Sequence, residues 1–168
     1  MRGSTEILEP SVMNNVDNHR SAHEAFNRRD WAALAQHFAS DAQYTDHARG
    51  VVLKGSQDFV DYLRANWVIA FSDVAVTEVG YLDAGSHVIA HFTETGINDG
   101  EFGPMPRTGR RISVPICEVM QFNEEGRIIR GSVYYDQVTI LVQLGHMEVP
   151  PGNWTDMDLT SSITNLQK

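Results

Sequence analysis

The sequence predicts an α+β fold: a curved antiparallel sheet of about four long strands, covered by N-terminal helices and forming a cone with an apolar pocket. Three observations carry this. Apolar residues recur at helical spacing in the first part of the chain and at period two in most of the rest. Clusters of turn-forming residues separate the period-two stretches. No repeat or linker divides the chain into halves, so helices and strands segregate around one core.

The helical part has three members. Ser11 is the expected N-cap after Pro10, and Val12, Val16, Ala22, Ala25 and Phe26 mark one helix to about Arg28. Asp30 caps a second, Trp31 to Phe38, with Trp31, Leu34, Ala35 and Phe38 on one face. Ala42 to His47 is a short strand or extended segment, and Arg49 to Gly55 a loop. A third helix begins at Ser56 or Gln57, with Phe59, Val60, Leu63 and Trp67 as its stripe. Strands follow over Ser72 to Asp83, His87 to Thr95, Arg111 to Phe122 and Arg127 to Asp136. Gly96 to Gly109 is a glycine-rich loop at the pocket rim, and Asn123 to Gly126 a hairpin turn. Gln137 to Leu144 is a closing helix that stops at Gly145.

With 168 residues, 42% hydrophobic and 21% charged, the chain is long enough for one domain with a real core. Its formal charge of −9 argues against binding nucleic acid or anionic lipid. Cys117 is the only cysteine, so no intrachain disulfide forms, and a reducing, cytoplasmic setting is expected. No run reaches the roughly 18–20 apolar residues of a membrane span, and no signal peptide is read at the start. Residues 1–10 read as a tag or disordered leader, 11–147 as the domain, and 148–168 as a peripheral tail with Trp154.

Strand parity points to the chemistry, since alternate residues face opposite sides. Glu118 shares a face with Ile112, Val114, Ile116, Met120 and Phe122. On the next strand Arg130, Ser132, Tyr134 and Asp136 share a face. A hairpin closed by Asn123 to Gly126 sets Glu118 opposite Ser132 and Asp136 opposite Val114. The two acids then lie about 13 Å apart at 3.3 Å per residue, too far for a carboxylate dyad. An acid at a strand-to-helix switch behind two tyrosines is costly to bury unless paired or protonated. Asp136 could equally cap the closing helix, and Glu118 could pair with an arginine.

The seven histidines show no H-E-x-x-H, and no close pair is read on a helical face. His87 and His91 lie too far apart along a strand to share a metal. Asp46-His47 offers a histidine held by a local acid, a possible arrangement for proton transfer. No G-x-S-x-G, G-x-G-x-x-G or Walker loop is present, and no metal site is expected.

Three stretches together resemble the SnoaL-like polyketide cyclases, within the nuclear-transport-factor-2-like superfamily. They are Y-T-D-H-A-R-G-V-V-L-K-G (Tyr44 to Gly55), T-E-T-G-I-N-D-G-E-F-G-P-M-P-R-T-G-R-R (Thr93 to Arg111) and V-Y-Y-D-Q-V-T-I-L-V-Q-L-G (Val133 to Gly145). The resemblance implies a cofactor-free homodimer or homotetramer that binds a hydrophobic, oxygenated small molecule. It also implies an intramolecular aldol ring closure, with Asp136 as general acid–base and His47 as the pocket-side histidine. Asn98 stands where the family often has histidine, and Arg107-Thr108-Gly109 replaces its P-T-G turn.

The expected catalytic set is therefore Asp136, His47 and Glu118. Tyr134, Asn98, Met105, Met120 and Trp67 are expected to contact substrate. Two other readings stay open: a hydrolase or isomerase opening an epoxide or lactone in the same pocket, and a non-catalytic binding domain. The last would have a pocket whose only acid is salt-bridged or capping a helix. If Asp136 is the acid–base, Asp136→Asn keeps the fold and removes most turnover; unchanged turnover excludes that role.

Overall fold

The computed structural model describes residues 14–148. Ser11, the leader and the tail from residue 149 onward lie outside the described residues.

Helix α1 (Asn15–Asn27) starts at Asn14, whose Oδ1 accepts the Asp17 N–H at 2.8 Å. The Asn27 amide at its other end bonds both Val76 N–H and C=O, fastening the helix to the sheet. α2 (Trp31–Gln36) is capped by Asp30, as expected, but stops before Phe38. Phe38 instead opens strand β1 (Phe38–Asp46). The loop expected after Arg49 contains a second short strand, β2 (Val51–Lys54). α3 (Ser56–Leu63) continues into one π-helical turn, Arg64–Val68, that buries Trp67.

Four long strands follow: β3 (Ala75–Ala84), β4 (His87–Ile97), β5 (Arg111–Phe122) and β6 (Ile128–Tyr135). α4 (Gln137–Leu144) closes the chain and ends at Gly145, whose φ of 79° is the left-handed C-terminal stop. The sheet therefore has six strands, in the order β2-β1-β6-β5-β4-β3. All neighbours are antiparallel except β1 and β6, which run parallel. β1 extends the expected segment at Ala42 to His47 back to Phe38, whereas β2, with 4 residues, is too short to show an alternation.

One irregularity overturns the expected register. Phe122 pairs with Ile128, but the next pair is Gln121 with Arg130, so Ile129 is an extra residue in β6. Beyond it Glu118 lies opposite Val133, not Ser132, and Ile116 lies opposite Tyr135. A one-residue slip exchanges the faces of a strand. Gly131, Val133 and Tyr135 thus join Glu118 on the concave face, while Ser132 and Tyr134 turn outward. Similar shifts interrupt β3–β4 and β1–β6, and such bulges bend a sheet.

The concave face packs against the helices through Phe26, Phe38, Phe59, Phe71, Ile112, Ile116 and Ile128, all buried. Among the described residues, no helix is long and apolar enough to cross a membrane. Gly131 lies where β6 passes close against Tyr44 and Met120. A Cβ there would lie 2.4 Å from the Tyr44 ring and 2.8 Å from Met120 Sδ. Gly131→Ala is expected to destabilise by about 1–3 kcal/mol through overpacking. Urea unfolding measures this, and an unchanged midpoint would show that Tyr44 and Met120 can retreat freely.

Candidate active site

The concave face and the helices enclose a cavity of about 610 Å³, its opening to solvent included. Aromatic and aliphatic side chains form most of its wall. Three acids interrupt them: Asp46 from β1, Glu94 from β4 and Glu118 from β5. Asp46 is 1% exposed, and the two glutamates 5% each.

Glu118 is the most heavily bonded. Its Oε2 accepts from His19 Nε2 at 2.8 Å and His23 Nε2 at 3.0 Å, and its Oε1 accepts from the Tyr44 hydroxyl at 2.7 Å. The histidines are i, i+4 on α1, so they project side by side from one helical face. Burial alone would raise the Glu118 pKa. Hydrogen bonds and charge from the two histidines outweigh it and hold the carboxyl below the usual range. Burial lowers the His23 pKa, the hydrogen bond and charge of Glu118 opposing it. A neutral His23 thus donates from Nε2, while Tyr81 hydroxyl lies 2.8 Å from Nδ1.

Asp46 is also well bonded. Its Oδ2 accepts from the hydroxyls of Tyr62 at 2.7 Å and Tyr135 at 2.8 Å, and its Oδ1 from Arg49 N–H at 3.0 Å. Burial, then the hydrogen bond to Asp46, raises the Tyr62 pKa; burial likewise raises that of Tyr135, so both hydroxyls keep their protons. The Arg49 guanidinium lies over the rings of Trp67 and Phe102, at 5.2 and 4.7 Å, and donates to Asn66.

Glu94 differs from both, because none of its side-chain atoms is hydrogen-bonded within the described residues. Burial, reinforced by the Glu118 charge, pushes its pKa up to about 8, with Arg49 and Arg29 opposing. It is a carboxylic acid facing an apolar cavity, poised to exchange a proton near neutral pH.

The expected site residues divide. Glu118, Met120 and Trp67 line the cavity. Asp136 does not: it is exposed and caps α4, accepting Val138 N–H at 2.8 Å and the Thr139 hydroxyl at 2.6 Å. The Thr139 bond, with the backbone N–H groups behind it, lowers its pKa. His47 is exposed and stacks on Tyr134, ring centroids 4.4 Å apart, on the outer face that the slipped register creates. Asp46 does not hold it, since that carboxylate turns inward. Asn98 is fully buried, yet its amide holds the 98–110 loop to Ala70, Gly100 and Thr108. Met105 pairs with Phe102 within that loop, which contributes no cavity-lining residue.

His19, His23 and Glu94 were missed, although the signals were present. His19 and His23 are a close pair on a helical face, contrary to the expectation of none. Glu94 shares the parity of Val88, Ala90 and Phe92, the same signal that singled out Glu118. Tyr44, Tyr62 and Tyr135 carried no local signal, because only tertiary packing brings them to the carboxylates.

Two acids of opposite shift give opposite pH dependences. An ordinary glutamate ionises near 4.5 and Glu94 in the folded protein near about 8. Between these values the folded state holds a proton that the unfolded chain has released, so the Glu94 contribution falls as pH rises. Glu118 contributes above the ordinary value and loses its contribution as pH falls below it. Glu94→Gln is expected to raise Tm near pH 8 and to leave it little changed below pH 4.5; thermal melts across this window check both.

Comparison with known proteins agrees with this architecture. The model of the SnoaL-like polyketide cyclase family matches residues 17–144. The fold is similar to that of AclR, a candidate hydroxylase from Streptomyces galilaeus (TM-score 0.70, 23% identity, 82% of this chain and 99% of that one). It is also similar to IdmH, a candidate polyketide cyclase from Streptomyces antibioticus (TM-score 0.67, 24% identity, 79% and 99%). A protein of ketosteroid isomerase-like fold from Catenulispora acidiphila matches at TM-score 0.64 and 23% identity, over 77% and 92%. No curated protein sequence matches the chain. The match over residues 17–144, on a curved six-stranded sheet with helices on its concave side, shows that the chain belongs to the SnoaL-like polyketide cyclase family.

Proposed function

We propose that this chain catalyses ring closure of a hydrophobic, polycarbonyl small molecule by acid–base chemistry, with Glu94 as the group that moves the proton. The observation that carries the reading is a buried carboxyl in an apolar cavity with no hydrogen-bond partner among the described residues and a pKa pushed up to about 8.

Ring closure of the aldol type needs one proton removed from a carbon between two carbonyls and one delivered to the acceptor carbonyl oxygen. The ionised form of Glu94 takes the carbon-bound proton. The enolate carbon then attacks the acceptor carbonyl, forming the new C–C bond as the C=O π bond breaks. The protonated form of Glu94 returns the proton to the resulting alkoxide, so atoms and charge balance and the enzyme is restored. A pKa near the working pH suits one group to both steps. Asp46 and Glu118, bonded on both oxygens, shape the polar ends of the cavity, while Phe59, Trp67 and Phe92 hold the apolar body of the substrate.

Asp136 faces solvent and caps a helix, which supports the binding-domain reading. Against that reading stand the acids Asp46, Glu94 and Glu118 that line the cavity. The same acids could instead serve hydrolysis, with water in the cavity.

The test is turnover of linear polycarbonyl compounds followed by mass spectrometry. Glu94→Gln is expected to lower kcat by about 10²–10⁴-fold, the usual worth of a general acid–base. Asp136→Asn, which retains a capping side chain, is expected to keep wild-type turnover. A product of substrate mass, or of that mass less one water, fits ring closure; a gain of one water fits hydrolysis. Full activity in Glu94→Gln ends the proposal.

A further inference from the structure

His19, His23 and Glu118 form a junction with a second use. Their donor atoms lie within 4.8 Å of one another, and all three side chains are buried at the cavity wall. Both imidazoles direct Nε2 at the same carboxylate oxygen, at 2.8 and 3.0 Å. We propose that His19 Nε2, His23 Nε2 and Glu118 Oε2 bind one first-row divalent cation of the Zn²⁺ type, with an open position facing the cavity.

Two imidazoles and one carboxylate suit such an ion, and catalytic sites of this kind keep a position for water or substrate. Metal–ligand bonds of about 2.0–2.2 Å set neighbouring donors roughly 3.4 Å apart; the histidines must withdraw from the carboxylate by about half an ångström, and the two imidazole nitrogens, within 4.8 Å of one another, must settle at the same spacing. Two of the three ligands have outer partners in place. Tyr44 holds Glu118 Oε1, and Tyr81 lies against His23 Nδ1.

Proton placement is also compatible. Metal at Nε2 requires each ring to carry its proton on Nδ1. His19 Nδ1 is buried and has no partner among the described residues, so it can take that proton, the Nε2–H bond to Glu118 being exchanged for the bond to the metal. His23 Nδ1–H would then donate to the Tyr81 oxygen. Charge points the same way. Among the described residues the cavity wall presents Asp46, Glu94 and Glu118 but no lysine or arginine, so the cavity is electrostatically suited to a cation.

If the cavity performs ring closure, the open position would hold a substrate carbonyl oxygen; this role, unlike the binding itself, rests on the proposed function. The test therefore measures binding in wild-type protein without turnover. Calorimetric titration of chelator-treated protein with Zn²⁺ is expected to give one site per chain, and Co²⁺ to give visible d–d bands. In ¹⁵N-labelled wild type, Zn²⁺ should shift two imidazole Nε2 resonances, those of His19 and His23. His23→Gln and Glu118→Gln are each expected to weaken binding by more than about 100-fold, exceeding the loss from an outer-partner change. No Zn²⁺ binding, or weak binding spread over exposed histidines such as His47 and His91, would overturn the site. The nitrogen spectra decide the matter even if the variants do not fold. Absence of metal would leave the Glu94 reading standing, and inactive Glu94→Gln says nothing for metal.

Discussion

The Glu118 carboxylate is the junction on which the arrangement depends. It projects from the middle of β5 into an apolar interior, where an unpaired charge is costly. Three groups from two other elements answer it: His19 and His23 from α1, and Tyr44 from β1. The demand of one buried charge thereby fixes how the first helix lies across the sheet and where β1 sits beside β6. A hydrogen bond to a charged group is typically worth about 1.5–3 kcal/mol, so loss of any one of the three donors weakens the junction.

The Ile129 bulge decides the second half of the site. It shifts the hairpin register by one residue, and with it every β6 side chain beyond Ile129. Val133 and Tyr135 enter the cavity; Tyr134 and Ser132 leave it. Tyr135 then reaches Asp46, and Asp46 turns away from His47. The outer pair of His47 and Tyr134 is left to stack on itself. A single inserted residue thus separates the acid that looked catalytic from the acids that line the cavity.

Within the cavity the three acids occupy different electrostatic states for stated reasons. Glu118 is held as an anion by converging donors, and Asp46 collects two tyrosine hydroxyls and a backbone N–H. Glu94 has the burial without donors among the described residues, and its pKa is raised. An environment that pushes neighbouring titratable groups apart is what assigns acid and base roles on one scaffold.

Much of this was legible in the residues. The α+β class, β5, the closing helix with its Gly145 stop, and the apolar face bearing Glu118 all follow from local periodicity and capping, which depend on near neighbours alone. So does the capping role that Asp136 takes, one of the two readings open to it. The same local signals marked Glu94 and the His19–His23 pair, though they went unread. Tertiary structure alone decided the rest. The bulge has no sequence signature, because Ile129 is an ordinary strand residue and its extra place is set by what the sheet must pack against. The parallel β1–β6 pairing and the tyrosines on Asp46 and Glu118 join positions far apart in the chain, and no local pattern records which distant hydroxyl will satisfy a buried charge.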